Sequence, residues 1–390
     1  MMKPLLALSL SAFLMFSASL AASPAFALDE SNIIVRVCVI DEADSVKLSL
    51  KGPYYIYPLH SDEAIKGGDG LATRVRATKG GILLGREELK TGGITIKVAE
   101  DAGILVNSLR LRGYIDIIRT GSLKLIVVNH LEIDRYLCGV LYNEVSHFWP
   151  LEVLKAQAIA ARTFALYQRR QNKARDYDLR SDIYSQVYRG SDSEKWTTNK
   201  AVFLTSRLVL TYNGDIFPAY YHANCAGMTE AASNLWNINT PPLRGVECPY
   251  CKYTRHYKWS DRIPLEDIRT KLVAAGYKIG EIESIVVLSR NKSNRAEKLE
   301  VKDTAGTVVI ITAKDFRQIL QSNTIRSTNF EVDIKGGTAV FDGFGWGHGV
   351  GMCQWGAYGM SKLKKSAAEI LQFYYPGAKV TKVSDEIVRI

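Results

Sequence analysis

The sequence changes its pattern near residue 130, from short strands to helices. Before that point, short segments rich in Val, Ile and Leu alternate with Gly, Asp and Lys, which predicts a β-rich region. After it, Leu151–Arg170 contains no Gly or Pro and many alanines, which predicts a long helix. We therefore predict an α+β fold class, with a β-rich N-terminal lobe and a mixed lobe that contains a long alanine-rich helix. Clusters of glycine predict turns at residues 67–70, 80–81 and 92–93.

The first 27 residues have the features of a secretory signal peptide. Lys3 precedes an uncharged apolar run from Leu5 to Leu20, and Ala25-Phe26-Ala27 fits the small-residue cleavage pattern. An uncleaved membrane anchor is the alternative, but the apolar run is short for a membrane span. We expect an exported protein of the periplasm or cell envelope, without a stable membrane span after cleavage of residues 1–27.

Four further segments are predicted after the signal peptide. No internal repeat or low-complexity tract interrupts them. They are a β-rich N-terminal region at 28–130, a core with a cysteine cluster at 131–262, an α/β accessory lobe at 263–336, and a glycine-rich loop with a final helix, Ser361–Tyr375, at 337–390 that completes the core.

The composition of the chain is globular and basic. It has 50 Lys and Arg residues against 40 Asp and Glu residues, which gives a formal net charge of +10 at pH 7. A surface of this kind favours an anionic partner. Because export separates the protein from nucleic acid, we expect an anionic polymer of the wall or envelope and not DNA or RNA.

Glycine is concentrated in residues 343–359, which hold seven of the 30 glycines of the chain. Glycine at alternate positions indicates unusual backbone angles or a close approach to the backbone. The segment lacks the Gly-Lys-Ser/Thr of a phosphate-binding loop. It presents His348 and Gln354, with Trp346 and Trp355 available to stack on sugar rings. A structural turn with a hydrogen-bonded core histidine is the alternative interpretation.

Glu144 is a candidate acid because it lies between two apolar runs. Desolvation by such neighbours raises the pKa of a carboxyl group and lets it keep a proton near neutral pH, as a general acid for glycosidic cleavage requires. A solvated surface glutamate is the alternative. Arg162 follows in the alanine-rich helix, and if buried it needs an anion, either Glu144 or a substrate group. If not buried, it is a surface arginine.

A cysteine cluster could hold a metal ion. His222-Ala-Asn-Cys225 and Cys248-Pro-Tyr-Cys251 together offer four ligands for a tetrahedral zinc, and His256 competes as fourth ligand. A disulfide and a redox Cys-x-x-Cys pair are the other two interpretations. The remaining cysteines stand singly among apolar residues, where buried free thiols are expected: Cys38, Cys138 and Cys353.

Taken together, these segments resemble the SpoIID/LytB family, the stage II sporulation protein D and amidase-enhancer domain. The resemblance runs from about residue 32 to 377. The residues that carry it are Leu131–Val140, Asn143–Val145, Trp149–Thr163, Gln186–Gly190, Tyr221-His222, Gly227–Glu230, Ser327–Phe330 and Gly345–Ala357.

The resemblance implies a peptidoglycan lytic transglycosylase active in cell-wall remodelling. Such an enzyme cleaves MurNAc–GlcNAc bonds of peptide-stripped glycan strands and leaves 1,6-anhydro-MurNAc ends. Glu144 matches the family's catalytic glutamate, which protonates the glycosidic oxygen and then acts as base while the C6 hydroxyl of the sugar closes the ring. By the same resemblance, the groove would be lined by Arg162, Gln186, Tyr188, His348 and Gln354.

Two points stay open at this level. The enhancer branch of the family suggests the alternative of a non-catalytic peptidoglycan-binding module that stimulates an N-acetylmuramoyl-L-alanine amidase. Some clostridial members hold zinc with Cys and His just before the segment that matches Gln186–Gly190, whereas residues 178–184 here contain neither residue. A structural zinc, not required for the chemistry, would therefore have to lie at His222, Cys225, Cys248 and Cys251.

Overall fold

Strands whose side chains alternate between buried and exposed positions make up the first third of the protein. The computed structural model describes residues 33–99, 103–182, 185–254 and 256–383, so the predicted signal peptide lies outside the described residues. The strands are β1 (Ile34–Ala43), β2 (Ser45–Pro58), β3 (Lys66–Ala77), β4 (Ile82–Leu84), β5 (Glu87–Leu89), β6 (Gly93–Val98), β7 (Gly103–Val106), β8 (Leu109–Leu111), β9 (Tyr114–Arg119) and β10 (Leu125–Glu132).

These strands pair in one large sheet with β11 (Leu179–Arg180) at one edge. The order is β11-β1-β10-β9-β6-β2-β3-β4-β5, and the pairs are antiparallel except for β1 with β11. The sheet divides at β2, because this strand pairs with β3 on one side and with β7 and then β6 on the other. Its buried face supplies the first hydrophobic core, with side chains such as Val35, Ile56, Ile94 and Ile117.

The predicted turn at residues 67–70 is wrong, because these residues lie inside β3. Glycine usually weakens a strand since it has no side chain to pack. Here the rings of the neighbouring strand occupy that space: an added Cβ would stand 3.0 Å from Tyr54 Oη at Gly68 and 3.1 Å from Tyr55 Cδ1 at Gly67. Cross-strand packing of the tyrosine rings therefore keeps the segment extended.

The predicted alanine-rich helix is confirmed as α2 (Leu151–Gln171), which follows α1 (Ile133–Glu144). One face of α2 packs on the large sheet through Ala158, Ala161 and Ala165. The opposite face enters a second hydrophobic core through Val153, Ala156, Ile159 and Ala160, against side chains near the C-terminus. Small side chains let both neighbours approach the helix closely, so α2 is shared by two cores.

A third hydrophobic core is formed by residues between 258 and 344. It contains side chains from two three-stranded sheets, one built from residues 258–264, 330–335 and 338–344 and the other from residues 282–290, 296–303 and 308–312, and from two helices. In chain order the elements after α2 and β11 are α3 (Trp196–Leu204), β12 (Leu208–Tyr212), β13 (Asp215–Ile216), β14 (Tyr221–His222), α4 (Ser233–Trp236), β15 (Lys258–Pro264), α5 (Leu265–Ala274), β16 (Ile282–Arg290), β17 (Ala296–Asp303), β18 (Val308–Thr312), α6 (Ala313–Leu320), β19 (Phe330–Lys335), β20 (Thr338–Phe344), β21 (Met352–Cys353), α7 (Gln354–Lys362), α8 (Ala367–Tyr374) and β22 (Lys379–Lys382).

The C-terminal segment forms two helices, so the prediction of one helix over Ser361–Tyr375 is wrong. A capping box starts α8: Ser366 Oγ accepts from the Glu369 N–H at 3.3 Å, and the Glu369 carboxylate accepts from the Ser366 N–H at 2.9 Å. These bonds satisfy donors that a helix start leaves unpaired. The overall prediction of an α+β fold is confirmed. No helix among the described residues is both long and apolar enough to cross a membrane.

Candidate active site

Glu144 is the last residue of α1, at the point where the chain turns toward α2. Its residue surface is half-buried, while its carboxyl group lies among protein atoms. Burial raises the pKa of Glu144 to about 7, although the Val187 N–H, which donates to Oε1 at 3.0 Å, acts in the opposite direction. The structure thus gives Glu144 the desolvated carboxyl group that the sequence predicted.

Gln186 holds the segment that carries this N–H. Its side-chain oxygen accepts from Tyr136 Oη at 3.0 Å, and its Nε2 donates to Tyr221 Oη at 2.9 Å and to the Ala161 carbonyl at 3.2 Å. Gln186 is only 1% exposed. Gln186 was predicted to line a groove, but its contacts place it in the interior. We call Tyr136, Gln186, Val187 and Tyr221 the frame around Glu144.

Two phenols belong to the same frame. Burial raises the pKa values of Tyr136 and Tyr221, and the nearby charge of Glu144 raises them further. Both side chains therefore stay protonated and remain hydrogen-bond donors at neutral pH. Sequence reasoning did not select Tyr136 for the site, because nothing in its helical position separates it from an ordinary core tyrosine.

Arg162 does not line a groove and does not pair with Glu144. Its guanidinium is fully buried and contacts Asp134 Oδ1 through Nε at 2.9 Å and Nη2 at 2.7 Å. The other donors reach the carbonyls of Leu208 and Val202 at 3.0 and 3.1 Å. The prediction that a buried arginine needs an anion agrees with the structure, but the anion comes from the first turn of α1.

Tyr188 also lies in the interior, in contrast to its predicted place in the groove. Its hydroxyl donates to Asn129 Oδ1 at 3.1 Å, and its ring lies over Gly139 of α1. An added Cβ at Gly139 would stand 2.5 Å from the Tyr188 ring. Tyr188 therefore fixes α1 against the sheet, and with Gln186 it brackets the residue that contacts Glu144.

His348 lies in the glycine-rich segment and contacts Tyr221, which belongs to the frame around Glu144. Its Nδ1 accepts from the Val350 N–H at 3.0 Å, and the ring also hydrogen-bonds to the backbone of Tyr221. The His222 ring lies 5.6 Å away, centroid to centroid. Burial and the cations of Arg317 and Arg295 lower the pKa of His348 to about 3, so the ring is neutral.

The strand β14 joins the two halves of the site, because it pairs in parallel with β21 of the glycine-rich segment. The Tyr221 hydroxyl accepts a hydrogen bond from Gln186 in the frame around Glu144, and the ring of the next residue, His222, contacts the ring of His348. The Nδ1 of His222 faces the Val350 carbonyl at 3.1 Å, and its buried Nε2 has no hydrogen-bond partner among the described residues.

Gln354 begins α7 and is almost fully buried. Its Nε2 donates to Gln157 Oε1 of α2 at 3.4 Å, while the Gln157 amide nitrogen lacks a partner within the described part of the chain. Of the five predicted groove residues, Gln354 is therefore also buried, and His348 alone keeps a partly exposed surface. The structure places Arg162, Gln186 and Tyr188 in the protein interior.

The cysteine cluster has a different fourth member from the one predicted. The ligand atoms of Cys225, Cys248, Cys251 and Cys353 lie within 4.8 Å of one another, and all four residues are buried. His222 does not belong to this group, because its ring turns toward Val350 and His348. His256, the competing ligand, packs its ring against Trp346 and Trp355. None of the six cysteines of the chain forms a disulfide bond in the structure.

Gly351 offers a test of how tightly the glycine-rich segment is held. Its φ is +72°, and an added Cβ would stand 1.9 Å from the Tyr220 carbonyl oxygen. We expect Gly351→Ala to lower the free energy of unfolding by at least about 1 kcal/mol more than Gly337→Ala, as measured by urea denaturation. Gly337 is the matched control because its φ is +73° with no atom within 4 Å of the added Cβ. Equal losses in the two variants would contradict the close approach.

Comparison with known proteins confirms the family resemblance. The model of the SpoIID family, described as stage II sporulation protein, matches residues 122–212. Stage II sporulation protein D of Bacillus amyloliquefaciens is 30% identical over 274 residues, which cover 65% of this chain and 76% of that protein. The chain belongs to the SpoIID/LytB family. The part matched by the SpoIID model contains Glu144, Tyr136, Gln186 and Val187, whereas Tyr221 follows it.

Other comparisons extend beyond the SpoIID segment. An uncharacterized protein of Brachyspira hyodysenteriae is 33% identical over 349 residues, 89% of this chain and 92% of that protein. A model described as a domain of unknown function matches residues 249–351. The amidase enhancer of Bacillus subtilis is 27% identical over 289 residues, and the match spans 63% of this chain but 40% of that protein. This SpoIID/LytB chain therefore spans less than half the length of the enhancer.

Proposed function

We propose that this protein acts at the cell wall as a peptidoglycan lytic transglycosylase. The substrate would be a peptide-stripped glycan strand, cut at MurNAc–GlcNAc bonds to leave 1,6-anhydro-MurNAc ends. The single observation that carries the proposal is the carboxyl group of Glu144. Burial keeps this group protonated up to about pH 7, while the residue as a whole is half-buried. Membership of the SpoIID/LytB family supports the role at the cell wall.

The proposed reaction needs one carboxyl group and consumes no water. The Glu144 proton passes to the glycosidic oxygen as the bond from that oxygen to C1 of MurNAc breaks. The C6 hydroxyl of the same MurNAc then bonds to C1, and its proton returns to Glu144. Hydrolytic mechanisms use a second carboxylate about 5–10 Å away. In the proposed reaction the C6 hydroxyl of the sugar takes the place of the nucleophile, so that a second carboxylate is not required.

Aromatic side chains near Glu144 offer a surface for sugar rings. Phe148, four residues after Glu144, is 85% exposed. Half-buried Trp149 contacts the rings of Trp355 at 5.0 Å and Tyr358 at 5.2 Å, centroid to centroid. Partly exposed aromatic rings of this kind present an apolar face beside polar groups. Together with the net charge of +10, they suit a neutral-to-anionic glycan chain.

A non-catalytic role is the second candidate, and the similarity to the amidase enhancer favours it. In that role the protein would bind peptidoglycan and stimulate an N-acetylmuramoyl-L-alanine amidase. A binding module has no use for a carboxyl group with a pKa near neutrality, so the two candidates differ in what they require of Glu144. The same aromatic and basic surface would serve both.

The reaction can be tested with peptide-free glycan strands and mass analysis of the new ends. We expect ends one water lighter than hydrolysed ends. Since Glu144 must start protonated, the rate should fall about tenfold per pH unit above about pH 7, if no other group limits it. Strands that stay intact at pH 6 would contradict the proposed activity, and ends that retain the water would indicate hydrolysis.

A further inference from the structure

The four clustered cysteines come from three distant parts of the chain. Cys225 follows β14, Cys248 precedes and Cys251 ends a tight turn at residues 249–251, and Cys353 ends β21. The Sγ atoms of Cys225 and Cys251 are 3.5 Å apart. Because zinc–sulfur bonds are about 2.3 Å long, sulfurs around a tetrahedral zinc stand about 3.8 Å from each other. The group therefore has the size and the donor set of a four-thiolate metal site.

Neighbouring donors point at these sulfurs. The N–H groups of Gly356 and Cys225 donate to Cys353 Sγ at 3.2 and 3.3 Å, and Tyr374 Oη lies 3.0 Å from Cys248 Sγ. Hydrogen bonds of this kind stabilise thiolates in preference to thiols. Glycine at 356 is required for this arrangement, because an added Cβ would stand 2.7 Å from Cys248 Sγ.

Arg295 supplies an independent observation. It lies in the loop between β16 and β17, its side chain is 1% exposed, and its Nε and Nη1 have no hydrogen-bond partner among the described residues. Nη2 reaches the Cys225 carbonyl at 3.4 Å. A buried guanidinium without a bonded anion is strongly unfavourable.

Glu230 does not provide the missing anion as a direct partner. Its carboxylate accepts from Asn291 Nδ2, Ser293 Oγ, Asn234 Nδ2 and the Ala231 N–H. Four thiolates around one divalent ion carry a net negative charge and would offset the arginine charge. Two disulfides would be neutral and would add no counter-charge beside the guanidinium.

We propose that Cys225, Cys248, Cys251 and Cys353 bind one zinc ion, with Arg295 as its buried counter-charge. The ion would tie the glycine-rich segment, which contains Cys353, to the turn at Cys248 and Cys251. Arg295 would tie the same centre to the third hydrophobic core. The site thereby sets the position of His348, whose neighbour Gly349 has no room for a Cβ beside Arg295 Nε at 2.5 Å. This role is structural and does not depend on the proposed reaction.

The zinc site can be tested on the full chain by metal analysis. We expect about one zinc per chain and a cobalt-substituted form with the absorption of a tetrahedral four-thiolate centre. Under denaturing, non-reducing conditions all six cysteines should react with an alkylating reagent after metal removal. A metal-free protein whose mass shows disulfide bonds among these four cysteines would overturn the proposal, and so would stoichiometric iron.

Variants add a test that does not rely on the wild-type protein alone. Cys353→Ser should lose most of the bound zinc, whereas Cys38→Ser, a buried thiol outside the cluster, should keep it. Arg295→Met should lower zinc affinity about 10–100-fold, as loss of an outer-shell partner does. Lys292→Met removes an exposed charge from the same loop and should leave the affinity unchanged. Full zinc retention in Cys353→Ser would contradict the ligand set. If that variant does not fold, the cobalt spectrum and the alkylation result decide.

Discussion

Glu144→Gln is expected to abolish the release of 1,6-anhydro ends while glycan binding persists. Glutamine keeps the size of the side chain and can still accept the hydrogen bond from the Val187 N–H, but it has no proton to give to the glycosidic oxygen. Loss of a general acid typically costs about 10²–10⁴-fold in rate. The measurement is the initial rate of anhydro-end formation on peptide-free strands at pH 6, with strand binding followed in parallel.

A matched control lies at the other end of the same helix. Glu132 precedes α1, is half-buried, and also has a raised pKa, from burial and from the charge of Asp134. Glu132→Gln should retain the activity, so that a general effect of removing a carboxylate is excluded. If Glu144→Gln cleaves strands at the wild-type rate, Glu144 is not the acid. If the wild type and Glu144→Gln both fail to cleave strands and both stimulate an amidase, the binding-module alternative is supported.

The fold of Glu144→Gln can be checked through the pH dependence of stability. In the wild type the folded-state pKa of about 7 lies above the ordinary value of 4.5, so folded protein holds a proton that unfolded protein releases. This contribution to stability is fully present below pH 4.5 and is lost as the pH rises through 7. Glutamine removes this dependence. We therefore expect the variant to be at least as stable as the wild type at pH 8.

Arg162→Ala is expected to have the largest effect on stability. The substitution leaves Asp134 as a buried carboxylate whose remaining partner is Ser206 Oγ at 2.6 Å. Breaking a buried pair in this way costs about 3–5 kcal/mol. The free energy of unfolding from urea titrations is the measurement. Arg110→Ala serves as control, because the pair it forms with Asp192 is about half exposed on both sides and is worth under about 1 kcal/mol.

A double variant separates the pair from the space it fills. Arg162→Met with Asp134→Leu removes both charges and keeps apolar volume, so it should recover much of the stability lost in Arg162→Ala. Recovery would show that the cost comes from the unpaired carboxylate. A loss of less than 1 kcal/mol in Arg162→Ala would contradict the burial of this pair, and it would reopen the predicted role of Arg162 at the substrate.

Local patterns predicted those parts of the fold that depend on neighbouring residues in the sequence. The helix α2 follows from a run of residues without Gly or Pro, and the raised pKa of Glu144 follows from the apolar residues that bury it. The strand at residues 67–70 could not be predicted locally, because rings from β2 hold it extended. The start of α8 was predictable, since Ser366 and Glu369 have the spacing of a capping box.

Contacts between distant segments explain the errors at the site. Cys353 is separated from the other cysteines by the whole third hydrophobic core, and the parallel pairing of β14 with β21 brings it back to Cys225. No spacing rule reports such a pairing. Likewise, the sequence predicted that a buried Arg162 needs an anionic partner. It could not identify this partner as Asp134, because the contact joins two different helices.

The position of α2 between two cores has a consequence for synthesis of the protein. During translation the sheet can cover one side of this helix early. Val153 and Ile159, on the other side, become fully packed only after side chains such as Met352 and Ile370 have been synthesised. Until those residues leave the ribosome, the growing chain exposes hydrophobic surface on α2 that a chaperone could bind. A version of the chain truncated before Gly351 would lack these side chains, so part of this face of α2 would stay exposed and the protein should aggregate.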